Sequence, residues 1–161
     1  MSVRPNSAMA NSEEKDICVN RKARHDYFID ETYEAGLVLQ GSEVKSLRDG
    51  KANLMDSYAR IDKGELFLVN AHISPYFAAS QFNHDPTRKR KLLLHKQEVR
   101  RLTGKIKERG LTLIPLRLYF KNGRAKVELG LARGKKMYDK RETLRKRAAQ
   151  REVERSLKTR S

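Results

Sequence analysis

The stretch LTLIPLRLYFKNGRAKVELGLA, residues 111–132, decides the fold. Lys121-Asn122-Gly123 divides it, and Asn-Gly between alternating apolar runs is the strongest short-range hairpin signal. The spacing predicts one strand over 111–120 and a return strand over 124–132. In the return strand Ala125, Val127, Leu129 and Leu131 share one face, while Arg124, Lys126, Glu128 and Gly130 share the other. One face suits a core and the other a polar surroundings. Pro115 cannot donate to a ladder, so it marks an edge or a bulge.

The same period runs upstream. Tyr33, Ala35, Leu37 and Leu39 alternate with Thr32, Glu34, Gly36 and Val38. Gly41-Ser42 breaks the pattern, and Ser42 is expected to cap a short helix with Val44 and Leu47 inward, ended by Gly50. Met55, Ala59 and Ile61 alternate again, Asp62-Lys63-Gly64-Glu65 reads as a turn, and Leu66–Val69 returns. Residues 76–91 read as a loop that bends at Asp85-Pro86-Thr87 and ends in Arg88-Lys89-Arg90-Lys91.

Then the period changes. Val99, Leu102 and Ile106 fall at helical spacing, Leu92 would extend the stripe, and Gly110 ends it. Gly104 weakens this helix by roughly 1 kcal/mol relative to Ala. The expected class is mainly β: an OB-type antiparallel barrel of about six strands with peripheral helices and a basic C-terminal tail. A split sandwich is the structural alternative.

The chain has 161 residues, with 36 Lys plus Arg against 20 Asp plus Glu, a net charge of +16. Residues 133–161 hold 12 basic and 4 acidic side chains (12 − 4 = +8), and residues 1–132 hold 24 and 16 (24 − 16 = +8). Half the net charge therefore lies in the last 29 residues. That tail has no apolar stripe, since Leu144 and Val153 point in opposite directions at 100° per residue. Its composition is helix-prone all the same. It is expected to be disordered when free and helical once an anion neutralises it. Residues 1–19 are expected to form a flexible N-terminal arm, which leaves 20–132 as the barrel.

Several classes are excluded. No stretch approaches the roughly 18 apolar residues of a membrane helix, and the N-terminus has no apolar h-region. Cys18 is the only cysteine, which points to a reducing cytoplasm and away from a disulfide framework. His25, His72, His84 and His95 lack ligand spacing, so no metal or other cofactor is expected. His25 and Asp26, as strand neighbours, would face opposite ways and form no dyad. No Walker-type loop is present, and catalytic residues and a small-molecule substrate are not expected.

Excess positive charge needs an anionic partner: RNA, DNA or an acidic membrane surface. Four basic patches stand out: Asn20-Arg21-Lys22-Ala23-Arg24-His25, Arg88–Lys91, the helix at 95–109, and Arg124 with Lys126. The eleven aromatic residues (six Tyr, five Phe) are a thin supply of stacking platforms. Backbone and shape recognition of a folded RNA therefore fits better than base-by-base readout. Neutralising about six phosphates would give log K against log salt a slope near −4.

Four segments carry a resemblance: NRKARHDYFI (20–29), YEAGLVLQGSEVKSLRDGKAN (33–53), DPTRKRKLLLH (85–95) and LARGKKMYDKRE (131–142). In this order they resemble the small protein B (SmpB) family, the tmRNA-binding proteins of bacterial trans-translation. The resemblance implies an OB-type barrel and binding to the tRNA-like domain of tmRNA. It further implies delivery to stalled ribosomes by a monomer that uses no membrane. Glu34, Leu93 and Lys126 match family positions linked to tmRNA binding, as do Asn20 and Gly36. Glu34 would either accept hydrogen bonds from the RNA or orient a basic neighbour; Leu93 would pack on an exposed base or belong to the core; Lys126 would contact phosphate or base. Gly134, Lys135, Lys136, Tyr138, Asp139, Lys140 and Arg141 match the start of the family's tail. By resemblance that tail enters the empty mRNA channel of the small ribosomal subunit, at the decoding centre, with Tyr138 placed to stack on a ribosomal base. The competing reading is a structural ribosomal RNA-binding protein with a basic tail.

Overall fold

In the computed structural model, Asn122 and Gly123 have φ of +50° and +78°, the left-handed pair that an Asn-Gly hairpin turn requires. The structure describes residues 13–76 and 83–160, with 136–142 and 159–160 described by backbone alone. The order is β1 (Glu14–Val19), α1 (Arg21–Asp26), β2 (Tyr27–Leu37), α2 (Gly41–Arg48), β3 (Ala52–Asn53), β4 (Tyr58–Asp62), β5 (Glu65–Val69), β6 (His72–Ile73), β7 (Arg90–Leu93), α3 (Lys96–Arg109), β8 (Thr112–Lys121), β9 (Arg124–Gly134) and α4 (Lys135–Arg160).

Six strands close a ring, β8-β4-β5-β7-β2-β9, because β9 pairs with β8 as well as β2. Every pairing is antiparallel. This is the OB-type barrel, and the ring closure excludes the split sandwich. β3 and β6 form a separate two-stranded ribbon.

β8 serves three neighbours. On the edge away from β9, its start meets β4 at Leu113 and its second half, Arg117–Lys121, meets β1. The changeover falls at Pro115, where the β8–β9 register also shifts. A residue without an N–H is tolerated there because no ladder needs its donor. Residues 14–19 are thus a correction to the expected flexible arm: they add a strand to this otherwise open edge. Residues 1–12, the rest of that arm, lie outside the described residues.

The core is aliphatic. Ala35, Leu47, Leu54, Leu66, Leu68, Leu92, Leu102, Leu113, Leu118, Val127, Leu129 and Leu131 are all buried. α3 inserts Val99 and Leu102 and lies beside Leu111–Leu113 at the start of β8. α2 inserts Leu47 beside Phe120 at the other end of that strand. The two helices therefore close opposite ends of the barrel. Leu92 belongs to β7 rather than to the stripe of α3, a second correction.

α2 starts two residues earlier than a cap at Ser42 would place it. Gln40 is the N-cap, and the Glu43 carboxylate accepts the Gln40 backbone N–H at 2.8 Å. The Ser42 hydroxyl is used elsewhere, bonded to His84 Nδ1 at 2.8 Å. His84 Nε2 faces the Ile73 carbonyl at 2.9 Å, so Nε2 carries the proton and Nδ1 accepts from Ser42.

The run Arg88–Lys91 is not the solvated patch its composition suggests. Arg90 is fully buried and pairs through Nε with the buried Glu43, and its Nη1 donates to the Ala71 carbonyl at 2.7 Å. Arg88 Nη2 meets the other Glu43 oxygen at 2.6 Å. A charge is tolerated in a core only when paired and hydrogen-bonded, and Glu43 supplies that pairing. Lys89 and Lys91 are exposed and Arg88 is half-buried, and both lysines have partners: Asp62 at 3.9 Å and Glu65 at 3.5 Å.

The basic tail is one helix, α4. Its described side chains from 143 to 158 are all exposed, including Leu144, Val153 and Leu157, so none of them is buried in the core.

Candidate nucleic-acid interface

The outer wall of β2, β9 and β8 gathers residues that are far apart in sequence. The β2–β9 register sets Glu34 opposite Glu128 and Gly36 opposite Lys126. The β8–β9 register sets Lys126 opposite Tyr119 and Arg124 opposite Lys121. Gly36 in turn faces Leu93 of β7, and Tyr119 faces Asp16 of β1. One cross-strand row therefore runs Leu93, Gly36, Lys126, Tyr119, Asp16, with Glu34 and Arg124 beside it. Strand parity turns Ala35, Leu92 and Val127 inward and leaves these neighbours outward.

Charge along the row is unevenly paired. Tyr119 Oη donates to Glu34 Oε2 at 2.6 Å, and Lys121 Nζ lies 3.3 Å from the same oxygen. These contacts, the tyrosine first, hold the Glu34 carboxyl below the usual glutamate range. The same hydrogen bond and burial push the Tyr119 hydroxyl pKa up, burial being the larger cause. Arg117 lies over the Tyr119 ring at 3.9 Å and pairs with Glu128 at 2.8 Å and Asp16 at 2.7 Å. Every carboxylate of the row is thus neutralised from within. Lys126 and Arg124 make no ion pair within 4 Å among the described residues, so their charge is available to a partner.

Leu93 adds an apolar end. It is 53% exposed, which excludes the core role. It borders a groove of about 320 Å³ that Leu37, Leu39, Val44, Phe120 and Ala125 also line, with Arg124 and Lys126 at its rim. A Cβ on Gly36 would lie 3.4 Å from Leu93 Cβ, so the glycine keeps this part of the wall low.

Asn20, Arg21, Lys22, Arg24 and His25 sit elsewhere. They form α1 and its cap, a short helix where the sequence suggests only a lead-in to a strand. Asn20 is 8% exposed. Its Oδ1 accepts the Ala23 N–H at 3.2 Å and its Nδ2 donates to the Pro115 carbonyl at 3.0 Å. Its side chain is therefore engaged within the protein and anchors α1 at the Pro115 changeover. Arg21, Lys22, Arg24 and His25 are exposed. On the helix His25 Nδ1 does reach Asp26 Oδ1, at 2.9 Å, which corrects the opposite-faces expectation. The His25 side chain is 87% exposed, so this contact lies at the open surface.

α1 and the tail begin together. Tyr27 pairs with Gly134 at the end of the β2–β9 ladder, and Lys135 Nζ donates to the Arg24 carbonyl at 3.2 Å. Lys135 and Arg133 both approach the Phe28 ring, at 5.2 and 5.5 Å. The side chains of Lys136, Tyr138, Asp139, Lys140 and Arg141 lie outside the described residues. Eight residues of β9 separate Lys126 from Gly134, on the order of 26 Å at about 3.3 Å per residue. The sequence-derived site residues thus fall into two groups at opposite ends of one strand.

Tyr119, Arg117, Lys121 and Glu128 were not singled out by sequence. The alternation of Arg117, Tyr119 and Lys121 on β8 is the signal that would have found those three, but the shift at Pro115 hides its phase; Glu128, on the polar face of β9, pairs with Arg117 across that shift.

A closed antiparallel barrel, with two uncompensated cations and a bare leucine on one wall and a basic helix leaving its end, defines a small nucleic-acid-binding barrel protein with a basic tail. The chain belongs to the SmpB family: the family model described as "SmpB protein" matches residues 17–159. An SsrA-binding protein of Desulforudis audaxviator is 66% identical over 148 residues, covering 92% of this chain and 97% of its own length. One from Geobacillus thermodenitrificans is 61% identical over 152 residues, covering 94% and 98%. A solved structure described as "tmRNA-SmpB: a journey to the center of the bacterial ribosome" aligns with a TM-score of 0.62 at 61% identity, over 73% of this chain and 83% of that one.

Proposed function

We propose that the chain binds tmRNA (SsrA RNA) through its tRNA-like domain and carries it to stalled ribosomes for trans-translation. The observation that carries this reading is the row Leu93–Gly36–Lys126, an exposed apolar side chain and a free ammonium on one wall of a barrel of this family. Lys126 and Arg124 take phosphate or base edges, and Leu93 packs against an unstacked base. Glu34 acts as a positioning group: Tyr119 and Lys121 already occupy it, so it fixes the cations around it rather than offering a free acceptor. Asn20 contributes by holding α1, not by touching RNA.

The tail has a separate task. α4 has no apolar face to bury, so a polyanionic surface is the partner that stabilises it. That surface is small-subunit RNA along the empty mRNA channel, where an intact mRNA would compete for the same space. None of these steps asks covalent chemistry of the chain, and its place of action is the cytoplasm. Among the described residues no helix is long and apolar enough to cross a membrane.

The test is the RNA recovered with tagged protein from cells. One dominant folded, tRNA-like species supports the reading. Recovery at one copy per subunit from translating ribosomes, without that RNA, favours a structural ribosomal protein instead. Lys126→Ala is expected to reduce tmRNA binding about tenfold, roughly 1.4 kcal/mol.

A further inference from the structure

Gly104 lies in the middle of α3 with no structural reason to be glycine. Its φ is not in the left-handed region, and a Cβ built on it meets nothing within 4 Å. Alanine would therefore fit there and favour the helix more. A glycine that the fold does not need is a place where something else comes close.

The residues around it say what. Counting 100° per residue, the buried Val99 and Leu102 and the half-buried Ile106 face the barrel, and Gly104 lies on the opposite side. Arg100, Arg101 and Lys107 flank it at i−4, i−3 and i+3, and Lys96 continues the row one turn earlier. All four are exposed, and none makes an ion pair within 4 Å among the described residues. Glu108 is the acidic member of this face. Lys105, by contrast, is occupied by Glu31 at 2.6 Å. The result is a low point on a helix surface flanked by Arg100, Arg101 and Lys107, which make no ion pair within 4 Å among the described residues, with Glu108 as its one acidic neighbour.

Its position separates it from the Lys126 row. α3 lies against Leu111–Leu113, and Leu113 pairs with Leu131, three residues before the tail begins at the end of β9. Lys126 is five residues further back along β9, on the order of 17 Å. The free face of α3 thus shares the tail's end of the barrel.

We propose that the Gly104 face of α3 is a second RNA-docking surface, which seats a phosphate backbone of small-subunit ribosomal RNA beside the site the tail enters. This rests on the ribosome-bound role proposed above. A phosphate strand rides over Gly104 because no side chain stands there, and Arg100, Arg101 and Lys107 neutralise it from both sides.

Full-length Gly104→Ala, Gly104→Leu and the double variant Arg100→Ala/Lys107→Ala would be compared with wild type. The readouts are thermal unfolding, tmRNA binding by gel shift, and binding of the protein–tmRNA complex to vacant small subunits. Gly104→Ala is expected to raise Tm by about 4 °C and still weaken subunit binding about threefold. Gly104→Leu should weaken it tenfold or more, with tmRNA binding unchanged for both. The double variant should lower the salt slope of subunit binding by about 1.4, two phosphates at about 0.7 each. Gly104 variants that gain stability and bind subunits like wild type overturn the proposal, as does an unchanged salt slope in the double variant. Loss of tmRNA binding instead of subunit binding also overturns it, because it assigns the face to tmRNA. Failure of the wild-type complex to bind subunits at all would remove the ribosomal role itself.

Discussion

Tyr119 and Glu34, 85 positions apart, are joined by a 2.6 Å hydrogen bond across the outer wall of the barrel. The tyrosine ring is almost wholly covered, with Arg117 stacked on it, so only its hydroxyl side reaches the polar face. Glu34 is thereby fixed next to two lysines that its charge would otherwise hold only loosely. The wall proposed to face RNA is organised by a contact between two groups that need not touch RNA.

Tyr119→Phe removes this donor while keeping the ring. Glu34 then loses the first of the causes that depress its pKa, so its titration moves up toward the ordinary glutamate range of about 4.3. Carboxyl carbon NMR would follow that shift. Affinity for tmRNA should fall about fivefold, on the order of 1 kcal/mol. A variant with unmoved Glu34 titration and intact affinity would remove the positioning role.

Glu43→Gln breaks a buried charge pair and leaves Arg90 uncompensated. Such losses cost about 3–5 kcal/mol, and urea unfolding would show the drop. The pH dependence has a definite sign. Burial by itself would raise the Glu43 pKa, but hydrogen bonds from Arg88, the Gln40 N–H and Arg90 outweigh it and hold the carboxyl below its usual value. The unfolded chain then binds more protons in the acid range. The stability from Glu43 is full above about pH 4.3 and is lost as pH falls through the depressed folded value. The Gln variant should lack that acid-side loss.

What the sequence revealed was local. The Lys121–Arg124 turn and the alternation of β9 read directly, since their physics lies within a few residues. The same was true of α3 with its Gly110 end. Arg88–Lys91 misled because a charge run is solvated only when no acid waits inside, and Glu43 is 45 and 47 positions away. Ser42 misled for the same reason: His84, 42 positions on, holds its hydroxyl. β1 was missed because Glu14–Val19 is a strand only by borrowing the free edge of β8. The site divided likewise. Lys126 and Arg124 were legible from strand parity, whereas the Tyr119–Glu34 bond depends on a bulge that resets the phase of β8.

Leu93→Ala removes an exposed side chain that supports little of the fold. Stability should stay within about 0.5 kcal/mol of wild type. If Leu93 packs on an unstacked base, tmRNA affinity falls by about 1 kcal/mol, the low end of the roughly 1–3 kcal/mol that an aromatic stacking partner supplies. Paired thermal unfolding and gel-shift measurements separate the two effects, and a large stability loss with normal binding would assign Leu93 to packing.

Cys18 lies on β1 with its thiol pushed up to about 11 by burial first and the Asp16 charge in addition, against a lowering backbone hydrogen bond from Leu118. At pH 8 only about one thiol in a thousand is ionised, against roughly a quarter in the unfolded chain. Alkylation with iodoacetamide should be more than a hundredfold slower in the native protein than in urea. Equal rates would mean that β1 detaches readily from β8.

The tail and the barrel should separate cleanly, but only if the cut respects the ladder. Ending the chain after Ala132 would remove Arg133 and Gly134, which pair with Phe28 and Tyr27, and would free the end of β2 beside α1. Ending it after Lys135 keeps those pairs and the Lys135–Arg24 hydrogen bond. Residues 136–161 hold 10 basic and 4 acidic side chains, so this truncation removes a net +6 (10 − 4) of the chain's +16. Its described side chains from 143 to 158 are all exposed, so Tm should hardly move. Affinity for tmRNA should stay within a factor of about three, while peptide tagging on stalled ribosomes is lost. A fall in tmRNA affinity beyond about tenfold, 1.4 kcal/mol, would mean that the tail belongs to the tmRNA site and that the two ends of β9 do not act separately.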